Sequence, residues 1–150
     1  MSDFLNKVVT IILIFIMLVL APLLVSYKTN DMLGRRLILN DVTTFIDQVK
    51  DTATITEDDI NKLYLDCNSH GLNVDVKIKR LIRTEITKED VAMTTYFAVD
   101  DFSEISALNT GDVIQVHVEE VAFSTARRLT YTLLKIDEGP FEFTLAGAVG

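Results

Sequence analysis

The sequence predicts an α+β fold: a long N-terminal helix, transmembrane and then amphipathic, plus a short helix packed on a small antiparallel sheet. Three observations lead there. Residues 8–25 form an uncharged, almost wholly apolar run. Apolar residues then recur at threes and fours as far as Val49. From Leu72 the period drops to two, in short segments separated by turn residues. Helices first and strands afterwards is the order of an α+β chain. Three regions follow: an anchor at 1–27, an amphipathic helix continuing from it at 28–53, and an acidic α+β head at 54–150.

The anchor reads VVTIILIFIMLVLAPLLV, broken in character only by Thr10 and Pro22. As a helix it spans about 27 Å, close to the thickness of a hydrocarbon core. Val8, Ile12, Phe15, Leu20, Pro22 and Val25 mark it. A cleaved signal peptide requires a shorter apolar core and a small-x-small site, but Leu24, Val25 and Tyr27 are large. A helix apolar on every side suits the core of a large protein, and this chain has 150 residues. A retained single-pass anchor in the cell membrane is therefore expected, with the lipid bilayer as its first partner and Tyr27 and Lys28 at the interface. Pro22 lacks a backbone donor, which predicts a kink between Met17 and Leu20. Lys7 and the amino terminus precede the run while Lys28, Arg35 and Arg36 follow it, a margin of one charge towards a cytoplasmic head.

Beyond the membrane, Leu33, Leu37, Ile38, Val42, Phe45, Ile46 and Val49 make a helix-packing stripe that needs a partner surface, with Gly34 a potential flex point. The helix is expected to end by Ala53. Thr56-Glu-Asp-Asp resembles a capping box, and a second helix with the face Ile60, Leu63, Tyr64 and Cys67 should stop at His70-Gly71. Leu72, Val74, Val76 and Ile78 alternate with polar residues, as in a half-buried strand continuing through Ile82 and Ile86. A turn is expected at Thr87 to Asp90, a strand at Met93 to Val99, and a loop or single helical turn at Asp100 to Leu108. Asn109 to Asp112 turns into a strand ending at Val118. Ala126, Leu129, Thr130 and Leu133 would suit a short helix. Gly139-Pro140 turns into a last strand from Phe141 to Leu145. Short connections make the sheet antiparallel.

Charge divides the chain. Residues 1–50 hold five basic and four acidic residues, residues 51–150 nine and eighteen, for a net charge of −8. Such a head repels phosphate, so no nucleic-acid partner is expected, and it is not expected to lie flat on anionic lipid. The single cysteine, Cys67, excludes an intrachain disulfide and a cysteine zinc cluster. Asp66-Cys-Asn68-Ser-His70-Gly71 opens like a calcium loop, but His takes the fifth position and Lys77 stands where a bidentate Glu is required. Cys67 and His70 share a helix face, with His117 the only other imidazole. Asp58-Asp59, Asp100-Asp101 and Glu119-Glu120 read as solvated charge, and Arg35-Arg36 and Arg127-Arg128 as exposed cations. No nucleophile motif or glycine-rich phosphate loop occurs. No catalytic, cofactor-binding or metal site is expected. A membrane enzyme would need Asp66, His70, His117 and the acidic pairs to converge in a cleft.

An apolar helix with a late proline, Pro22, runs on into an amphipathic one and a small α+β head ending in antiparallel strands. Together with Gly71 after the second helix, the Gly111-Asp112-Val-Ile-Gln-Val turn and strand, and the terminal Phe143-Thr-Leu-Ala-Gly147, this resembles pilin-like subunits. It is closest to the TadE-like pseudopilins of tight-adherence and related Gram-positive systems. Two features depart from the pattern. No basic, glycine-ended leader precedes the apolar run, and the early acidic residue is missing from it, Asp3 being nearest and followed by Asn6 and Lys7. The resemblance therefore does not extend to processing by a prepilin peptidase. It implies a bacterial, non-enzymatic structural or assembly subunit, such as a minor pilin of a pilus or secretion apparatus. It also implies homo- or hetero-oligomers formed through the N-terminal helix, with heads on the extracellular side. A single-pass cell-surface binding module is the alternative.

Overall fold

The computed structural model describes residues 2–88, 91–136 and 139–150. Its backbone is helical from Ser2 to Thr52 as α1 (Ser2–Phe15), a π-turn (Ile16–Leu20) and α2 (Ala21–Thr52). The π-turn falls where Pro22 is expected to disturb the helix. A proline ring collides with the carbonyl four residues earlier, here Leu18, and a widened turn makes room. Ala21 N–H accordingly donates to the carbonyl of Ile16, five residues back. α2 ends at Ala53, in the left-handed region, whose N–H caps the Val49 carbonyl.

α3 (Glu57–Ser69) starts from the expected capping box: Thr56 Oγ1 accepts from Asp59 N–H, and the Asp59 carboxylate accepts from Thr56 N–H. Those bonds hold the Asp59 carboxyl below its usual range. Gly71, at positive φ, turns the chain into the sheet.

β1 (Val74–Lys88), β2 (Val91–Val99), β3 (Val113–Glu120) and β4 (Glu142–Ala148) form one antiparallel sheet in the order β2-β1-β3-β4. Residues 102–105 make a single helical turn, α4 (Phe102–Ile105), and α5 (Thr125–Leu134) lies in the connection from β3 to β4. Of the turn expected at Thr87 to Asp90, Thr87 and Lys88 are instead the last residues of β1, and Glu89 and Asp90 lie outside the described residues. The fold is α+β as the periodicities predict.

The second half of α2 covers one sheet face. Ile38, Val42, Phe45, Ile46 and Val49 are buried against Val74, Val76, Ile114, Val116, Val118 and Val149, with Leu63 and Cys67 of α3 closing the side. On β3, Ile114, Val116 and Val118 point inward and His117 and Gln115 outward. β1 leaves β3 at Leu81 and pairs with β2 alone up to Lys88. A two-stranded ribbon therefore extends about 23 Å past the helix-covered sheet.

The packing stripe differs from expectation at its start. Leu33 and Leu37 stay 50% and 47% exposed, while Gly34 is buried four residues before Ile38. A Cβ at Gly34 would stand 2.8 Å from the His70 carbonyl oxygen, so the close crossing of α2 and the α3–β1 connection requires a residue without one. Gly34 is thus a packing contact inside a helix that runs through it without a break. α5 also departs from its expected face. Ala126 and Thr130 are buried as expected, but Leu133 is exposed and Arg127 is buried in its place, its guanidinium 4.2 Å from the centre of the Phe123 ring.

Candidate functional site

Residues 8–25 are exposed on nearly every side, and the helix carrying them is long and apolar enough to cross a membrane. Val8, Ile12, Phe15, Pro22 and Val25 are exposed; Leu20 and Leu24 are partly covered. The physical reason to single this helix out is the water it would meet. Side chains of this size cost about 1.5 to 3 kcal/mol each to leave in water. Backbone satisfaction inside the helix lets the same surface sit in hydrocarbon.

Where α2 meets the head, contacts fix its direction. His70 Nε2 lies 2.6 Å from Asp41 Oδ2, joining the end of α3 to α2. Asp31 pairs with Arg35 at 3.2 Å, and the Arg35 guanidinium lies over Phe141 at 5.1 Å. Tyr27, Asn30 and Asp31 face Ser124, Thr125 and Ala126 across a small depression also lined by His70 and Leu72. The Glu120 carboxylate accepts from the backbone N–H of Ser124 and of Phe141, pinning both ends of the connection that carries α5. Tyr64 OH donates to Asp75 at 2.5 Å and accepts from Val76 N–H, tying α3 to β1. The Tyr64 hydrogen bond holds the Asp75 carboxyl below its usual range.

The groups weighed for chemistry line three different surfaces, with Asp41 linking those of Asp66 and His70. Asp66 lines a groove of about 280 Å³ between α2 and α3, with Asp41, Asp59 and Lys62. His70 lines the depression beside Tyr27, and His117 lies on the open sheet face with Nδ1 2.8 Å from Thr144 Oγ1. Cys67 is buried, and burial, with Asp41 and Asp66 nearby, pushes its thiol up to about 12. Among the described residues, no three His, Cys, Asp or Glu side chains gather as metal ligands do.

Sequence reasoning passed over the buried pair of Arg80 and Asp112. Two Arg80 nitrogens donate to Asp112 Oδ2, at 2.8 and 2.5 Å, and Asn109 and Arg83 N–H groups also donate to that carboxylate. The period-two register from Val74 through Ile78 already places Arg80 on the inward face, and that signal could have found it. No protein-family model, curated protein or solved structure matches the chain.

Proposed function

We propose that this chain is a membrane-anchored structural or assembly subunit of the pilin-like type, a minor component of a pilus or secretion apparatus with its head outside the cell. One observation carries the reading. A single helix from Ser2 to Thr52 presents bare apolar surface along its first half and is locked into the head along its second. Rigid coupling of that kind passes the position of a packed N-terminal helix directly to the head. Helices in lipid associate by close packing, so a lateral assembly would form through residues 8–25.

Cysteine crosslinking in native membranes tests this. Single cysteines at Ile12, Phe15 and Leu20, in a Cys67→Ala background, are expected to give a ladder of multimers with a helical dependence on position. A chain that stays monomeric at every position, in membranes and in detergents alike, sinks the proposal.

The binding-module alternative has its own support. β2 is an edge strand whose nine residues carry no charge, in a chain where 24% of residues are charged. An uncharged edge can accept an extended ligand strand. A chain lacking residues 1–27 that keeps full affinity for such a ligand favours the module. A folded head that has lost all activity favours assembly.

A further inference from the structure

We propose that residues 121–136, which carry α5, rest on the bilayer surface and insert their apolar side chains among the headgroups of an anionic membrane. The proposal rests on residues 8–25 being a membrane anchor.

Composition is the first support. This segment contains no acid and three cations, exposed Arg128 and Lys135 and buried Arg127, in a chain of net charge −8; acids resume at Asp137. The overall acidity that argues against contact with anionic lipid is an average, and this stretch is its exception. Val121, Phe123, Tyr131, Leu133, Leu134 and Ile136 are all exposed, between 47% and 65%. A basic helix with bare apolar and aromatic side chains is the pattern of a segment lying in the interface plane. Lys135 Nζ sits 5.5 Å from the Tyr131 ring centre, pairing a cation with an aromatic suited to headgroup depth.

Placement is the second, independent support. α5 packs against α2, and its N-terminal residues face Tyr27, Asn30 and Asp31, just past the end of the apolar run. Within residues 8–25 only Leu20 and Leu24 are partly covered. At spacings of four, three and four, Leu20, Leu24, Tyr27 and Asp31 share one side of the helix. The covered side of the anchor is thus continuous with the side that α5 occupies. Phe123, next to Ser124 in that contact, would meet lipid headgroups before bulk water, and α5 would carry Tyr131, Leu133 and Leu134 along the same surface. Lys28 follows the apolar run directly and adds positive charge next to it.

The test uses the full chain, one copy per nanodisc, with phosphatidylglycerol present and a lipid-borne quencher. Phe123→Cys and Leu134→Cys carry an environment-sensitive fluorophore. Leu13→Cys reports on the anchor and Thr94→Cys on the ribbon. Cys67 is buried with a suppressed thiolate, so labelling goes to the introduced cysteine. Quenching at 123 and 134 is expected to exceed that at 94 by about twofold or more, and to weaken when the anionic lipid is replaced by zwitterionic lipid. Quenching at 13 with none at 123 and 134 overturns the docking and leaves the anchor standing. Quenching at none of the three removes the anchor as well. A blue shift at 123 and 134 that appears only in discs holding several copies, without lipid quenching, assigns the surface to a second copy and also overturns the docking.

Discussion

Asp112 shows how one side chain organises a turn. It is almost fully buried at the start of β3 and binds Arg80 of β1, while its own carbonyl accepts from Val149 N–H. Burial works against the charged carboxylate, but donors from Asn109, Arg80 and Arg83 outweigh it and hold the carboxyl below its ordinary 3.8. Replacing Asp112 with Ala removes the carboxylate from a buried guanidinium, a change of about 3 to 5 kcal/mol. The expected readout is a lower midpoint of urea unfolding for the detergent-solubilised chain. A carboxyl depressed on folding stabilises fully above its unfolded value and loses that contribution as pH falls below 3.8. The gap between wild type and Asp112→Ala should therefore be constant near neutrality and shrink on acidification. Equal midpoints at pH 7 would show that the pair does not hold the turn.

At the scale of elements, α2 lies on the sheet through a place with no side chain. A Cβ at Gly147 of β4 would collide with Ile46 Cγ2 and meet Lys50 Cδ at 3.0 Å. Gly147→Ala should force helix and sheet apart and cost about 1 to 3 kcal/mol. Ala148→Val, on the open face, should stay within about 0.5 kcal/mol of wild type. Thermal unfolding of both variants checks the contrast, and an undisturbed Gly147→Ala would show that the contact yields freely. The same contact marks what could be read from the chain. Periodicities of 3.6 and 2 located α2, α3, β1 and β3 because side chains record which face is buried. Gly34 and Gly147 leave no such record, so the helix-to-sheet approach was invisible and the stripe was read as starting at Leu33. Arg127 was read as an exposed cation because charge was weighed alone; it is buried, with its guanidinium over the ring of Phe123 four residues earlier.

For the whole molecule, the second half of α2 belongs to the head energetically although it continues the apolar helix. Ile38, Val42, Phe45, Ile46 and Val49 all come from it, and among the described residues no apolar side chain of the core cluster precedes Ile38. Burying five such side chains contributes roughly 8 to 15 kcal/mol. That is comparable with the entire stability of an ordinary domain, about 5 to 15 kcal/mol. A chain beginning at Lys28 keeps every one of these contacts and should unfold cooperatively in urea with the strand signal of the full protein. A chain beginning at Thr54 loses all five and should show no cooperative transition. These outcomes place the working boundary of the head before α2's sheet-covering half rather than after Ala53. If the shorter chain folds cooperatively, α2 is a detachable cover, and the link from apolar helix to head that the proposed assembly requires is gone.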